Sequence, residues 1–145
     1  MATVGGIFFS SVGLQKARQL AAGRGVSIET CCADLSELMI QPNQWQGIIS
    51  IFAHVPPEVR VPLHRAAVAG LATGGAFVLE AYTPQQLQYK TGGPPTAELM
   101  MTLTELQTEL MGLEWAIAQE KVRFIREGML HNGMSAVVQL LGFRH

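Results

Sequence analysis

Few side chains in this sequence are equipped for acid–base or nucleophilic chemistry, and those few are scattered. Cys31 and Cys32 are adjacent inside an apolar run. Neighbouring residues on a strand point to opposite faces, so the two sulfurs are badly placed to bridge each other. They read as buried, reduced thiols of a cytosolic protein. The four histidines (His54, His64, His131 and His145) share no ligand spacing with each other or with the cysteines, so no metal site is expected. Asp34 follows a strand-like run, where a carboxylate is either an ordinary turn or cap residue or a ligand acceptor. His54 precedes Pro56-Pro57, which suits a loop imidazole with a local hydrogen bond as well as a binding group. Tyr82 ends an apolar run, which suits a packed ring with a wet hydroxyl. Thr91-Gly92-Gly93-Pro94-Pro95 reads as a rigid turn.

The elements that must carry these residues follow from periodicity and punctuation. Residues 4–9 read as a short strand. Ser10 or Ser11 then caps a helix whose Leu14, Ala17, Leu20 and Ala21 recur at helical spacing, and Gly23 and Gly25 stop it. Residues 26–33 form a second strand, and 34–46 are polar with a turn at Gln41-Pro42-Asn43. Residues 47–53 are apolar on both alternating faces, the pattern of a parallel strand covered by helices on each side. Pro56-Pro57 opens a helix with Val59, Leu63, Ala66, Ala67 and Gly70 on one face. Gly74-Gly75 precedes a strand over 76–81, and 82–95 is a loop. Thr102 and Glu105 make a capping box for a helix with Leu103, Leu106 and Leu110 inward. Two strand-like runs over 114–143, broken between 127 and 133, make an antiparallel hairpin at the sheet edge. The alternation of strands and helices is that of a doubly wound α/β sheet.

Composition narrows the field. A chain of 145 residues, 48% of them hydrophobic and 14% charged, suffices for one domain with a real core and excludes a disordered tail. Net charge is −1 and the 10 Lys and Arg residues form no basic stripe, which argues against a nucleic-acid partner. The apolar stretch at 4–9 is too short to span a membrane, so no membrane partner is expected.

Cys32-Ala33-Asp34-Leu35, then Ile48-Ile49-Ser50-Ile51-Phe52-Ala53-His54-Val55-Pro56-Pro57, then Gly74-Gly75-Ala76-Phe77-Val78-Leu79-Glu80-Ala81-Tyr82-Thr83-Pro84 resemble class I S-adenosylmethionine-dependent methyltransferases of the tellurite-resistance-like group. Thr91-Gly92-Gly93-Pro94 and the closing hairpin extend the match, which runs from about Ser10 onward. The resemblance implies a Rossmann-like, mostly parallel sheet with helices on both faces and a C-terminal antiparallel hairpin, in one domain spanning residues 1–145. It implies S-adenosylmethionine as cofactor and a small-molecule acceptor. Asp34 would accept from the adenine amino group, with Leu35 beside the ring. Phe52, Ala53 and His54 would flank the methionine half, and Tyr82, Thr91, Gly92 and Gly93 would close over the acceptor. Such a reaction asks mainly for alignment of methyl group and acceptor, so no catalytic acid, base or nucleophile is assigned.

The chain departs from the pattern at its start. The family's first strand and glycine-rich loop have no counterpart in this sequence, which reads as truncated at the N terminus. Phe8 stands where the resemblance puts the carboxylate that holds the ribose hydroxyls, and a phenyl ring accepts no such bond. The family's first strand is central, between its second and fourth, so its loss leaves open strand edges. Either the 4–9 strand closes directly onto the 47–53 strand, or a second copy supplies the pairing, and a homodimer is the favoured expectation. Two classes of function follow: a working methyltransferase, or a remnant or repurposed fold acting through binding or homodimer assembly. A third expectation is a fragment of a longer reading frame whose start lies upstream.

Overall fold

The computed structural model describes residues 4–8, 10–126 and 132–145, Phe8 by its backbone. Two compact units make up the chain, residues 1–39 and 40–145.

The first unit is a strand–helix–strand. β1 (Gly5–Phe8) lies parallel to β2 (Glu29–Cys32), with Gly5 opposite Glu29 and Phe8 opposite Cys32. Between them α1 (Ser11–Gly23) begins at Ser10, whose side chain accepts from the Gly13 N–H at 3.1 Å. It ends before Gly25, whose φ is +67°. Leu14 and Ala21 are buried on the helix face, but Leu20, expected with them, is 63% exposed. The strand expected over 26–33 shortens to four residues, and Cys31 and Cys32 are exposed where buried thiols were expected. The reason is the size of the ribbon: two short strands and one helix cannot cover both faces of β2. Arg18 crosses from α1 and donates from Nε to Thr30 Oγ1 at 2.7 Å.

The second unit is a four-stranded sheet in the order β3-β4-β6-β5. β3 (Trp45–Ile51) and β4 (Leu71–Tyr82) are parallel, joined by α2 (Pro57–Gly70). After α3 (Leu103–Glu109) come β5 (Leu113–Arg126) and β6 (Asn132–Arg144), and β6 pairs antiparallel with both β4 and β5. The link between them, residues 127–131, lies outside the described residues, as do Phe9 of the expected first strand and the Phe8 side chain. No helix among the described residues is long and apolar enough to cross a membrane.

Among the described residues strand pairing forms two sheets, β1-β2 in the first unit and β3-β4-β6-β5 in the second. β3 is consequently an edge strand. Ile48 packs against the core, while Ile49 and Ile51 are 71% and 51% exposed, contrary to the expectation of cover on both faces. β4 also starts earlier than the sequence suggested. Gly74 and Gly75 lie inside it at a register shift that sets Trp45 opposite Leu71 and Gly47 opposite Ala76. A Cβ on Gly75 would fall 2.9 Å from the Trp45 carbonyl oxygen, so the shift requires glycine there.

The core lies on one face of this sheet. Phe77, Leu79 and Ala81 alternate along β4 and meet Val138 and Leu140 of β6, Ala67 of α2, and Leu106 and Leu110 of α3. Burying each of Leu106 and Leu110 contributes roughly 1.5–3 kcal/mol. The capping box holds α3 in place: Glu105 N–H donates to Thr102 Oγ1 at 3.3 Å, and Thr102 N–H donates to Glu105 Oε2 at 2.9 Å.

α2 differs from the expected apolar face. Its most buried residues are Arg60, His64, Ala67 and Gly70, with Val59, Leu63 and Ala66 half-buried. Glu109, at the end of α3, makes this possible. Its carboxylate accepts from Arg60 Nε at 3.1 Å and Nη2 at 2.7 Å, and from His64 Nδ1 at 2.7 Å. Arg60 Nη1 donates to the Met100 carbonyl at 3.2 Å. A buried carboxylate with a bidentate guanidinium is satisfied, and truncating it strands a charge. Desolvation pushes the His64 pKa below the ordinary imidazole value, only partly offset by Glu109.

Two predictions follow from this brace. Glu109→Ala should lower unfolding free energy by about 3–5 kcal/mol in urea denaturation. The fold prefers neutral His64, so its contribution is complete above the unfolded imidazole pKa and is lost as pH falls through the lower folded value. Between about pH 7.5 and 5 the urea midpoint of the wild type should fall more steeply than that of His64→Gln. Parallel profiles would contradict the assignment.

Candidate functional site

β3 and β4 are adjacent parallel strands whose carboxyl ends open at the same side of the sheet, the position where open α/β sheets bind ligands. Directly after β3, Phe52 adopts φ +49°, and its N–H donates to the Glu80 carbonyl at 2.8 Å. A bulky residue in the left-handed region is held there only by its surroundings, and such positions cluster at functional sites.

His54 is fixed by the backbone on both sides. Its Nδ1 lies 2.8 Å from the Leu99 carbonyl oxygen, and the Tyr82 N–H donates to Nε2 at 3.2 Å. A carbonyl can only accept and an N–H can only donate, so the imidazole is the neutral Nδ1–H tautomer. The Phe52 and Tyr82 rings stack at 4.7 Å, the His54 and Tyr82 rings at 5.6 Å, and the Phe52 and His54 rings at 6.4 Å. Tyr82 is wholly buried with Met100, Ile125 and Val137, hydroxyl included, where a wet hydroxyl was expected. Ala53 is half-buried between the two ring-bearing positions of its segment.

The loop after β4 is organised by Gln86, in the 3-10 turn Pro84–Gln88. Its Oε1 accepts from the Ala136 N–H at 2.9 Å, and its Nε2 donates to Thr91 Oγ1 and to the Gly92 carbonyl, both at 3.0 Å. Thr91 Oγ1 donates to the Met134 carbonyl at 2.7 Å. Thr91 thus anchors the loop to β6. Gly92 and Gly93, with Lys90, Pro94 and Met100, line a depression of about 320 Å³. Gly93 lies on the Tyr82 ring: a Cβ there would sit 2.8 Å from Tyr82 Cδ2, and its φ is +96°.

Of the candidate residues, Phe52, His54, Tyr82 and Gly93 are brought together in the second unit. Asp34 and Leu35 belong to the first unit. Asp34 is exposed and Leu35 half-buried. Asp34 Oδ1 accepts from the Ser36 N–H at 2.9 Å and from Ser36 Oγ at 2.7 Å, a turn geometry. These bonds hold its carboxyl below the usual pKa. Gln86 was not foreseen. Its partners are two loop residues and one backbone N–H on a distant strand, and no local spacing marks them.

No family model matches the chain, and no curated protein matches it by sequence. Solved structures do match in fold. TehB from Haemophilus influenzae superposes with a TM-score of 0.76 at 14% identity, over 99% of this chain and 50% of that one. An S-adenosylmethionine-dependent methyltransferase from Methanosarcina mazei gives 0.73 at 15% identity, over 98% and 82%. The N-methyltransferase NodS from Bradyrhizobium japonicum, solved with S-adenosyl-L-homocysteine, gives 0.70 at 12% identity, over 98% and 66%. The chain spans about half the length of TehB. Its fold is the α/β Rossmann-like fold of class I methyltransferases.

Gly93→Ala tests whether the loop and the ring are coupled. The added methyl meets Tyr82 and the backbone is left strained, so the substitution should cost about 1–3 kcal/mol and alter the near-UV circular dichroism of tyrosine. An unchanged spectrum and urea midpoint would show that the loop does not bear on the ring.

Proposed function

We propose that this chain acts in S-adenosylmethionine-dependent methyl transfer to a small molecule, contributing the wall beside the methionine half of the cofactor and the loop facing the acceptor. The observation that carries this reading is the stacked Phe52, His54 and Tyr82 at the carboxyl ends of β3 and β4. Aromatic faces attract a cation such as a sulfonium. Phe52 and Tyr82 exclude water there, and His54, held by two backbone groups, keeps the end of β3 in register with β4. In the first unit, Asp34 presents an exposed carboxylate that suits an exocyclic amino group such as that of adenine, with Leu35 as its apolar neighbour.

The residues present fit part of the cofactor and not the whole. β1 ends at Phe8, a side chain with no acceptor for ribose hydroxyls, and the described residues offer no replacement carboxylate on that strand. The reading therefore concerns binding and alignment. When bound, the cofactor supplies a methyl group on an electrophilic sulfur, and alignment is the main demand on the protein.

Titration of S-adenosylmethionine into ¹⁵N-labelled protein should shift the amides of Phe52, His54 and Tyr82 saturably. Phe52→Ala should weaken binding about tenfold, the loss of one aromatic face from a cation site. No saturable shift at millimolar cofactor would overturn the reading.

A second reading is assembly as a homodimer, supported by the exposure of Ile49 and Ile51 on the open edge strand β3. Open apolar edges recruit pairing partners. Light scattering should give twice the chain mass, and Ile49→Lys should return it to one. A monomer across the concentration range would exclude this.

A further inference from the structure

The depression on the loop after β4 has a chemistry of its own. At about 320 Å³ it falls at the small end of ligand pockets. Leu87, Pro94, Pro95 and Met100 give it an apolar wall. Gln86 also lines it, but both of its amide hydrogens go to Thr91 and Gly92 and its oxygen accepts from Ala136. That side chain is committed to holding the loop and has no donor left for a ligand.

The charged group in the lining is Lys90. It is exposed, and among the described residues no carboxylate pairs with it. Its backbone has φ +55°, a conformation that a non-glycine residue adopts only where its surroundings impose it. The Gln86–Thr91 hydrogen bond closes residues 86–91, Lys90 among them, into a short loop. Lys90 thus lines a hollow with an apolar wall, on a loop tied to β6 at Ala136 and Met134. Met100, in the wall, also packs with Phe52 and Tyr82, so the hollow abuts the aromatic cluster.

We propose that this depression binds a small molecule with an apolar body and one carboxylate, the carboxylate met by Lys90 and the body lying against Leu87, Pro94 and Met100. Binding of this class stands on the hollow alone; naming that molecule the methyl acceptor rests on the methyltransferase reading.

The test uses benzoate as probe and benzamide as its uncharged counterpart, titrated into the ¹⁵N-labelled chain without S-adenosylmethionine. Benzoate should shift the amides of Leu87, Lys90, Gly92 and Gly93 saturably, with benzamide at least tenfold weaker. Lys90→Met should bring benzoate down to the benzamide level and leave benzamide unchanged, and Lys90→Arg should keep the preference. Equal affinities, no effect of Lys90→Met, or no saturable shift in the loop would each overturn the proposal. Lys90 is exposed, so its variants should retain the wild-type near-UV spectrum, which serves as the folding control. Failure of S-adenosylmethionine to shift Phe52 would remove the methyltransferase reading and leave this result standing.

Discussion

β4 has to satisfy hydrogen bonds on both of its edges at once, and the second unit is arranged around that requirement. Ala76–Glu80 run parallel to Gly47–Ile51 on one side, and Ala76–Tyr82 run antiparallel to Val137–Phe143 on the other. A slip of one residue against either neighbour would exchange Phe77, Leu79 and Ala81 for Ala76, Val78 and Glu80 on the core face. It would put the Glu80 carboxylate, which now accepts from Arg123 and Gln139 on the opposite face, into the apolar cluster. The register is thus fixed by the side chains as firmly as by the backbone. It also sets where the ladder ends. The last residue of β4, Tyr82, gives its N–H to His54, so the candidate site hangs directly from this strand.

Two buried polar nodes then fix what β4 leaves loose. Glu109 gathers Arg60 and His64 and ties α3 to α2 under the sheet. Gln86 ties the loop at 91–92 to β6. The first is ionic, so its strength depends on exclusion of water and on protonation. The second is a neutral amide, insensitive to pH, and each of its bonds is modest. The helix pair is therefore held by the costlier device, and the loop over the aromatic cluster by the milder one. That division suits a scaffold carrying a ligand-facing loop.

Local chemistry made much of the second unit legible in the sequence. The Thr102–Glu105 box, Pro57 at the start of α2 and the apolar run over 76–81 each act over a few residues, and each marks its element, although β4 begins before its run. What the sequence concealed acts over longer range. Arg60 and Glu109 are 49 residues apart, so no local pattern pairs them. Gln86 finds its strand partner 50 residues away. Burial failed for a different reason. Cys31, Cys32, Ile49 and Ile51 are all apolar enough for a covered strand, but alternation does not say whether anything lies above the face. Of the site, the strand end at Tyr82 and the turn at 91–95 were readable, but the contact between Tyr82 and Gly93 was not. Asp34 was readable as a turn residue or a ligand group, and the bonds it accepts from Ser36 are those of a turn.

The two ends of β3 therefore stand under different constraints. At its carboxyl end Phe52, with φ +49°, is stacked on Tyr82 and packed against a cluster that includes Met100. Along its length, Ile49 and Ile51 present β-branched apolar side chains on the face opposite Ile48. The stack at Phe52 and the exposed side chains of Ile49 and Ile51 are therefore distinct features of one strand, the first built from ring contacts and the second from apolar groups on the face away from the core.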